Sequence, residues 1–332
     1  MKKLIKIFER IELKNQLYVG VWIGIIIVQG AFIFNIQKIF PPKYFFDSNH
    51  IVKLINYNLY STVDQSYKVT AKLFSLLNLK ILSDYNMVLY IIFLIFFIPY
   101  LYKYYNKKLK ISILNMIYLF LSSVYLIRPG KEFLQFLILM FCFKWTKYSS
   151  VFLILGGLIF RKYLILQGLI FIFIQIYKNT TRKNKKKLRI IYFLGILIVS
   201  ILFKGLVTEI LGSRMGVNQW RENDLNAATI INDIIQSKGM IFLYINYFIN
   251  TMRLLFPIEL ILKSIKYSPY VLFQFWFTVK LYKWRFKKND KVYLLYSFII
   301  VSGFFEPDYG SFLRHTVPYF IFIIELNFKE KR

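Results

Sequence analysis

Ten strongly apolar runs are strung along this chain, at 17–35, 86–102, 111–127, 131–143, 148–160, 163–178, 189–205, 267–283, 292–305 and 312–327. Runs of 17–19 residues make about 25–28 Å of helix, enough to cross the hydrocarbon core of a bilayer with flanking anchors. The 131–143 and 148–160 runs are shorter, about 20 Å each, and suit re-entrant or tilted segments. Hydrophobic residues make up 57% of the chain and aromatics 20%. A water-soluble domain, at about 45–50% apolar, has too little interior to hide so much. The predicted class is an all-α polytopic integral membrane protein of about ten transmembrane helices, eleven or twelve if re-entrant segments are counted, forming one membrane domain over residues 1–332.

Charge placement gives the orientation. The formal charge of +29 invites a nucleic-acid partner. The lysines, however, cluster between apolar runs, where cytoplasmic loops carry them, so no nucleic acid is expected. With the N-terminus inside and the runs alternating, 27 Lys/Arg fall on inner segments and 18 on outer ones, together the 45 in the sequence. The densest inner loops are 178–189 and 280–291. This positive-inside asymmetry puts both termini in the cytoplasm of a multi-pass protein of the cytoplasmic (inner) membrane. The first apolar run follows Lys2, Lys3, Lys6, Arg10 and Lys14 like a signal peptide. It is long and lacks a small-residue cleavage site, so it is read as a retained helix.

Three segments stand apart. Residues 36–85 and 206–239 are predicted as large outer loops, the first with an amphipathic helical stretch near Val69, Leu73, Leu76 and Leu77. Residues 240–262 are apolar but broken by Arg253, Pro257 and Glu259. A full crossing there would invert the charge rule downstream, so they are predicted to lie at, or dip into, the outer interface.

The uncommon polar groups then gather on the outer side. Arg128, in Arg-Pro-Gly-Lys-Glu (128–132), is either a snorkelling anchor or, with Lys131, a grip for a phosphate. Arg161 and Lys162 cap a tight turn. Arg214, Arg221, Glu222 and Asp224 suit ordinary loop solvation. Arg253 sits in an apolar stretch and needs Glu259, an interface or an anionic ligand. Asp47 and His50, in Asp-Ser-Asn-His, fit an Asx-type turn or a reactive carboxylate. The densest set is the decapeptide Glu-Pro-Asp-Tyr-Gly-Ser-Phe-Leu-Arg-His (306–315). Arg314 there either pairs with Glu306 or Asp308, or joins them and His315 around a substrate. Cys142 is the one cysteine, so no internal disulfide forms, and no zinc pattern, nucleotide loop or serine-hydrolase elbow is present. A metal- and nucleotide-independent reaction with no cofactor is therefore expected.

The arrangement resembles the Wzy-type polymerases of O-antigen and capsular polysaccharide, including EpsG-like members. The residues carrying the resemblance are Lys-Tyr-Phe-Phe-Asp-Ser (43–48), 128–132, Asn-Thr-Met-Arg-Leu-Leu-Phe-Pro-Ile-Glu-Leu (250–260) and the decapeptide. The resemblance implies a glycosyltransferase of GT-C-like architecture. It would move a growing glycan from its polyprenyl diphosphate to a sugar hydroxyl of a new repeat unit, at the outer membrane face. Its partners would be the polyprenyl-diphosphate-linked glycan, membrane lipid and other polysaccharide export proteins. Independently, a diphosphate leaving group needs cations, for which Arg128, Lys131, Arg161, Arg253 and Arg314 are candidates. A hydroxyl needs a base, for which His315, Glu306, Asp308 and Asp47 are candidates. The alternative is a flippase for lipid-linked oligosaccharides, which would set charges midway through helices and show paired halves.

Overall fold

The computed structural model describes residues 2–58, 64–104, 109–202, 229–235 and 240–329, which divide into two compact units, Met1–Met140 and Phe141–Arg332. Apart from one isolated β-bridge, the described residues with regular structure are helical. Each of the ten apolar runs is wholly or largely helix. Among the described residues two helical stretches, Val19–Ile39 and Leu82–Tyr100, are long and apolar enough to cross a membrane, against about ten predicted. The remainder are shorter or more polar: Ile113–Tyr125 and Tyr163–Asn179, for instance, are apolar helices of fewer than 18 residues.

In the first unit α1 (Lys2–Ile39) packs against α4 (Leu82–Tyr104) and α5 (Leu109–Tyr125). Gln29 makes the contact specific by donating from Nε2 to Leu119 O (2.8 Å) and Ser123 Oγ (2.9 Å). Tyr90 on α4 donates to Ile26 O at 2.6 Å, and its ring lies against Gly30, where a Cβ would come within 3.1 Å of it. Between α4, α5 and α6 (Lys131–Lys144) runs an aromatic core of Phe93, Phe97, Tyr118 and Phe136. Such rings bury large areas and favour offset or edge contacts.

The predicted 36–85 loop is largely helical. Besides α3 (Gln65–Ser75), which holds Val69 and Leu73 of the expected amphipathic stretch and ends in a turn at Leu76 and Leu77, it holds α2 (Phe46–Tyr57). Local chemistry fixes their ends. Asp64 caps α3 by accepting from Ser66 N at 3.2 Å, and α2 stops at Asn58, whose φ of 52° is left-handed backbone that asparagine tolerates. The spacing of Ile51, Val52 and Leu54, all buried, marks the inward face of α2.

In the second unit, α7 (Ser149–Ile159) and α8 (Tyr163–Asn179) form a tight hairpin. Gly157 and Gly168 make it possible: a Cβ on either would sit 2.5–2.8 Å from Ile165 or Ile154. The basic 178–189 segment, predicted as a loop, instead breaks for two residues and enters α9 (Arg182–Leu202), since lysine and arginine are good helix formers. Residues 240–262 form α10 (Met240–Leu255) and α11 (Ile258–Lys263), separated at Pro257. α12 (Ser268–Trp284) and α13 (Asp290–Phe305) follow, and α13 packs against both α8 and α10. The last apolar run is helical but not uniform. α14 (Tyr309–Thr316) tightens to a 3-10 turn at Val317–Tyr319 before α15 (Phe320–Lys329). Pro318 lacks the N–H that an α-helix would need there.

The surface is apolar over wide areas. Ile27 and Val28 on α1, Leu158 on α7 and Leu272 on α12 are each 66–69% exposed. Inside sit Gln135, Gln167 and Gln274, almost wholly buried. Apolar surface on this scale leaves water only when lipid or a partner covers it.

Candidate functional site

The second unit assembles a buried polar cluster from three elements. The α7–α8 turn supplies Arg161, the end of α13 supplies Glu306, and α14 supplies His315. They are 8%, 4% and 9% exposed, respectively. His315 Nδ1 meets Glu306 Oε1, and His315 Nε2 lies 3.2 Å from Arg161 Nη2. The opposite corner of the guanidinium, Nη1, donates to the Tyr163 hydroxyl at 2.6 Å.

These contacts assign the tautomer. A guanidinium has only N–H donors, so Nε2 must accept and the imidazole proton must sit on Nδ1, facing the carboxylate. The cluster is then one cation, one anion and a neutral imidazole, a combination whose burial is tolerable because each charge is compensated. Burial by itself would raise the pKa of the Glu306 carboxyl. The adjoining His315, a hydrogen bond from Ser311 and the charge of Arg314 together outweigh it and hold Glu306 below the ordinary carboxylate range. The direct partner of Glu306 is His315, with the charge of Arg314 nearby.

Asp308 has a structural task. It caps α14, its Oδ1 accepting from Ser311 N at 2.7 Å. Its neighbours pair with a short piece of the preceding loop. Ile231 N donates to Pro307 O (3.0 Å) and Tyr309 N to Thr229 O (3.2 Å) around an antiparallel bridge between Ile230 and Asp308. The same loop piece is tied to α10 through Asn246, which exchanges two hydrogen bonds with the Ile235 backbone.

Arg253 takes the first of its three predicted options. Its Nε and Nη2 grip Glu259 bidentately at 2.7–3.0 Å, while Nη1 donates to Asn232 O (2.6 Å) and reaches Asn250 Oδ1 (3.4 Å). Tyr309 also donates to Glu259 Oε1, at 2.7 Å. Burial, with that carboxylate beside it, raises the pKa of the Tyr309 hydroxyl and keeps it protonated as the donor. With its fork engaged, Arg253 ties α10 to α11 and to the loop piece, and Tyr309 joins the decapeptide to Glu259.

The first unit carries its own polar group. Tyr67 on α3 donates to Asp47 Oδ1 at 2.6 Å. Lys131, at the start of α6, lies 3.4 Å from the centre of the Tyr67 ring and 3.9 Å from Asp64 Oδ2. Arg128 donates to the Tyr44 carbonyl, with its guanidinium 5.9–6.0 Å from the Phe45 and Tyr125 ring centres. It is buried, not snorkelled. Arg214, Arg221, Glu222 and Asp224 lie outside the described residues.

Sequence reasoning missed Tyr163, Tyr67 and Tyr309, which position the charged groups. Tyr309 lies in the decapeptide, but nothing distinguishes Tyr163 and Tyr67 among 26 tyrosines before the chain is folded. It also missed the pair of Lys291 and Glu325, in which α13 and α15 meet and the ammonium lies 3.7 Å from the Phe143 ring centre. Among the described residues no group of three or more His, Cys, Asp or Glu is arranged to hold a metal ion. Compared with protein-family models, curated proteins and solved structures, the chain matches none.

Proposed function

We propose that the protein is a membrane glycosyltransferase that polymerises polyprenyl-diphosphate-linked oligosaccharide repeat units at the outer face of the cytoplasmic membrane. The observation that carries the reading is the Glu306–His315–Arg161 cluster. A carboxylate orients an imidazole by holding its Nδ1 proton, and a guanidinium adjoins the other ring nitrogen. Glycosyl transfer from a diphosphate needs those capacities together: a base for the incoming hydroxyl and positive charge for the departing diphosphate. The apolar exterior and helical apolar runs support reading all ten runs as crossings, with the shorter helices packed against their neighbours. Within the second unit Arg314 remains a candidate diphosphate contact.

A flippase for the same lipid-linked glycan is the second reading. Glu325, buried within the last apolar run against Lys291 at the start of α13, favours it, since an ionisable residue within an apolar helix often marks a transport pathway. Deleting the protein and resolving the surface glycan by electrophoresis separates the two. A polymerase leaves single repeat units where a ladder stood. Loss of lipid-linked units from the outer face points to a flippase. Alanine at His315 or Arg161 should reproduce the deletion at unchanged protein level, and normal ladders from both would remove the site assignment.

A further inference from the structure

The Arg161–His315 contact has a consequence for when the imidazole can act. Both ring nitrogens are occupied: Nδ1 holds the proton that faces Glu306, and the Nε2 lone pair accepts from Arg161. Protonating Nε2 in this arrangement would set two N–H donors against each other at 3.2 Å, with the new charge beside a guanidinium. As described, His315 is correctly oriented by its carboxylate but closed as a base. Tyr163 holds Arg161 in the capping position through the 2.6 Å contact at Nη1.

We propose that Arg161 is an anion-dependent cap, and that the site takes the diphosphate of a lipid-linked donor by drawing this guanidinium off His315 Nε2. Guanidinium binds phosphate oxygens through paired N–H donors, and a bidentate phosphate contact is stronger than one bond to a neutral imidazole. Binding the donor therefore opens the base. An acceptor hydroxyl can then give its proton to Nε2 as its oxygen bonds to the anomeric carbon. The bond between that carbon and the diphosphate oxygen breaks, its electron pair leaving on the diphosphate. The imidazolium formed is held by Glu306, and the departing charge lies against Arg161. With no donor bound the base stays closed. The inference rests on the polymerase reading for the identity of the anion, and on the contacts above for the capping itself.

The test uses the full-length protein in detergent micelles, labelled with 15N in its two histidines and titrated with inorganic pyrophosphate, His50→Gln serving to assign the signals. Without the anion, His315 should show the Nδ1–H tautomer with Nε2 as an acceptor. Pyrophosphate should move the Nε2 resonance saturably, and Arg161→Gln should abolish that response. A resonance that stays fixed throughout the wild-type titration overturns the capping mechanism, whether or not the variant folds. The glycan ladder is read separately in cells. A normal ladder after deletion removes the polymerase reading while a moving resonance keeps the cap; single repeats with a fixed resonance do the reverse.

Discussion

Gly303 sits where α13 crosses α10, and adding one methyl group there should pry the two helices apart. A Cβ at this position would lie 2.0 Å from Thr251 Oγ1, 2.7 Å from Tyr247 Cε2 and 3.2 Å from Thr251 Cβ, well inside ordinary carbon contact at about 3.5–4.0 Å. Neither neighbour yields without loss. Thr251 Oγ1 donates to Tyr247 O at 2.8 Å, and Tyr247 both donates to Ile300 O at 3.0 Å and stacks on Phe304 with centroids 4.0 Å apart. Overpacking of this kind costs about 1–3 kcal/mol. Rotating Thr251 out of its bond adds about 1 kcal/mol. Alanine returns up to about 1 kcal/mol through its better helix propensity. The expected net loss for Gly303→Ala is therefore about 1–3 kcal/mol, or roughly 3–10 °C in melting temperature for a unit of this size. Cys142, the one thiol in the chain, is fully buried in the same unit. A thiol-reactive fluorophore added during heating therefore reports its exposure directly. Gly195→Ala is the control, because nothing lies within 4 Å of its added Cβ. It should melt at or slightly above wild type. A Gly303→Ala protein that melts no lower than wild type would refute the close crossing.

Two further outcomes are expected. Asp308→Asn should keep both melting temperature and glycan ladder, because asparagine also caps helices, whereas Asp308→Ala should lose about 1 kcal/mol by the same dye assay. If Asp308→Asn abolishes the ladder in a stably folded protein, Asp308 does more than cap α14. Glu306 gives a pH dependence of definite sign. Its folded-state pKa lies below the ordinary carboxylate value of about 4.3, so its charge contributes stability that is present above that pH and lost as pH falls through the folded value. The melting-temperature gap between wild type and Glu306→Gln should be widest near neutrality and close in acid. A gap independent of pH would contradict the assignment.

Much of the fold was legible because apolar periodicity and helix-ending residues act locally. Each of the ten apolar runs is helix over most of its length, and the amphipathic stretch around Val69 is α3. α2 was missed although Ile51, Val52 and Leu54 mark an inward face, because a segment between two apolar runs reads first as loop. The basic stretch after Lys178 was misjudged for a related reason: charge marks exposure, and exposed lysines are compatible with helix. In the candidate site the residue types were visible and their pairings were not. Arg161 was assigned to a turn, 154 residues from the histidine it contacts. Arg253 was given three possible partners; the break at Pro257 turns Glu259 back toward it, and packing of α10 against the loop piece at 229–235 supplies the Asn232 carbonyl.

By itself the sequence determined that this chain forms helices, where most of them lie, and that segment 306–315 sets two acidic groups and a histidine between apolar runs. Those properties follow from local spacing and from the cost of burying charge. Only the tertiary structure decided that His315 faces Glu306 on one side and Arg161 on the other. Hydrogen-bond direction depends on which groups meet across elements distant in sequence. The contacts within the decapeptide arose in the same way: Asp308 caps α14 and Glu306 meets the imidazole of His315 because α8, α13 and α14 come together there.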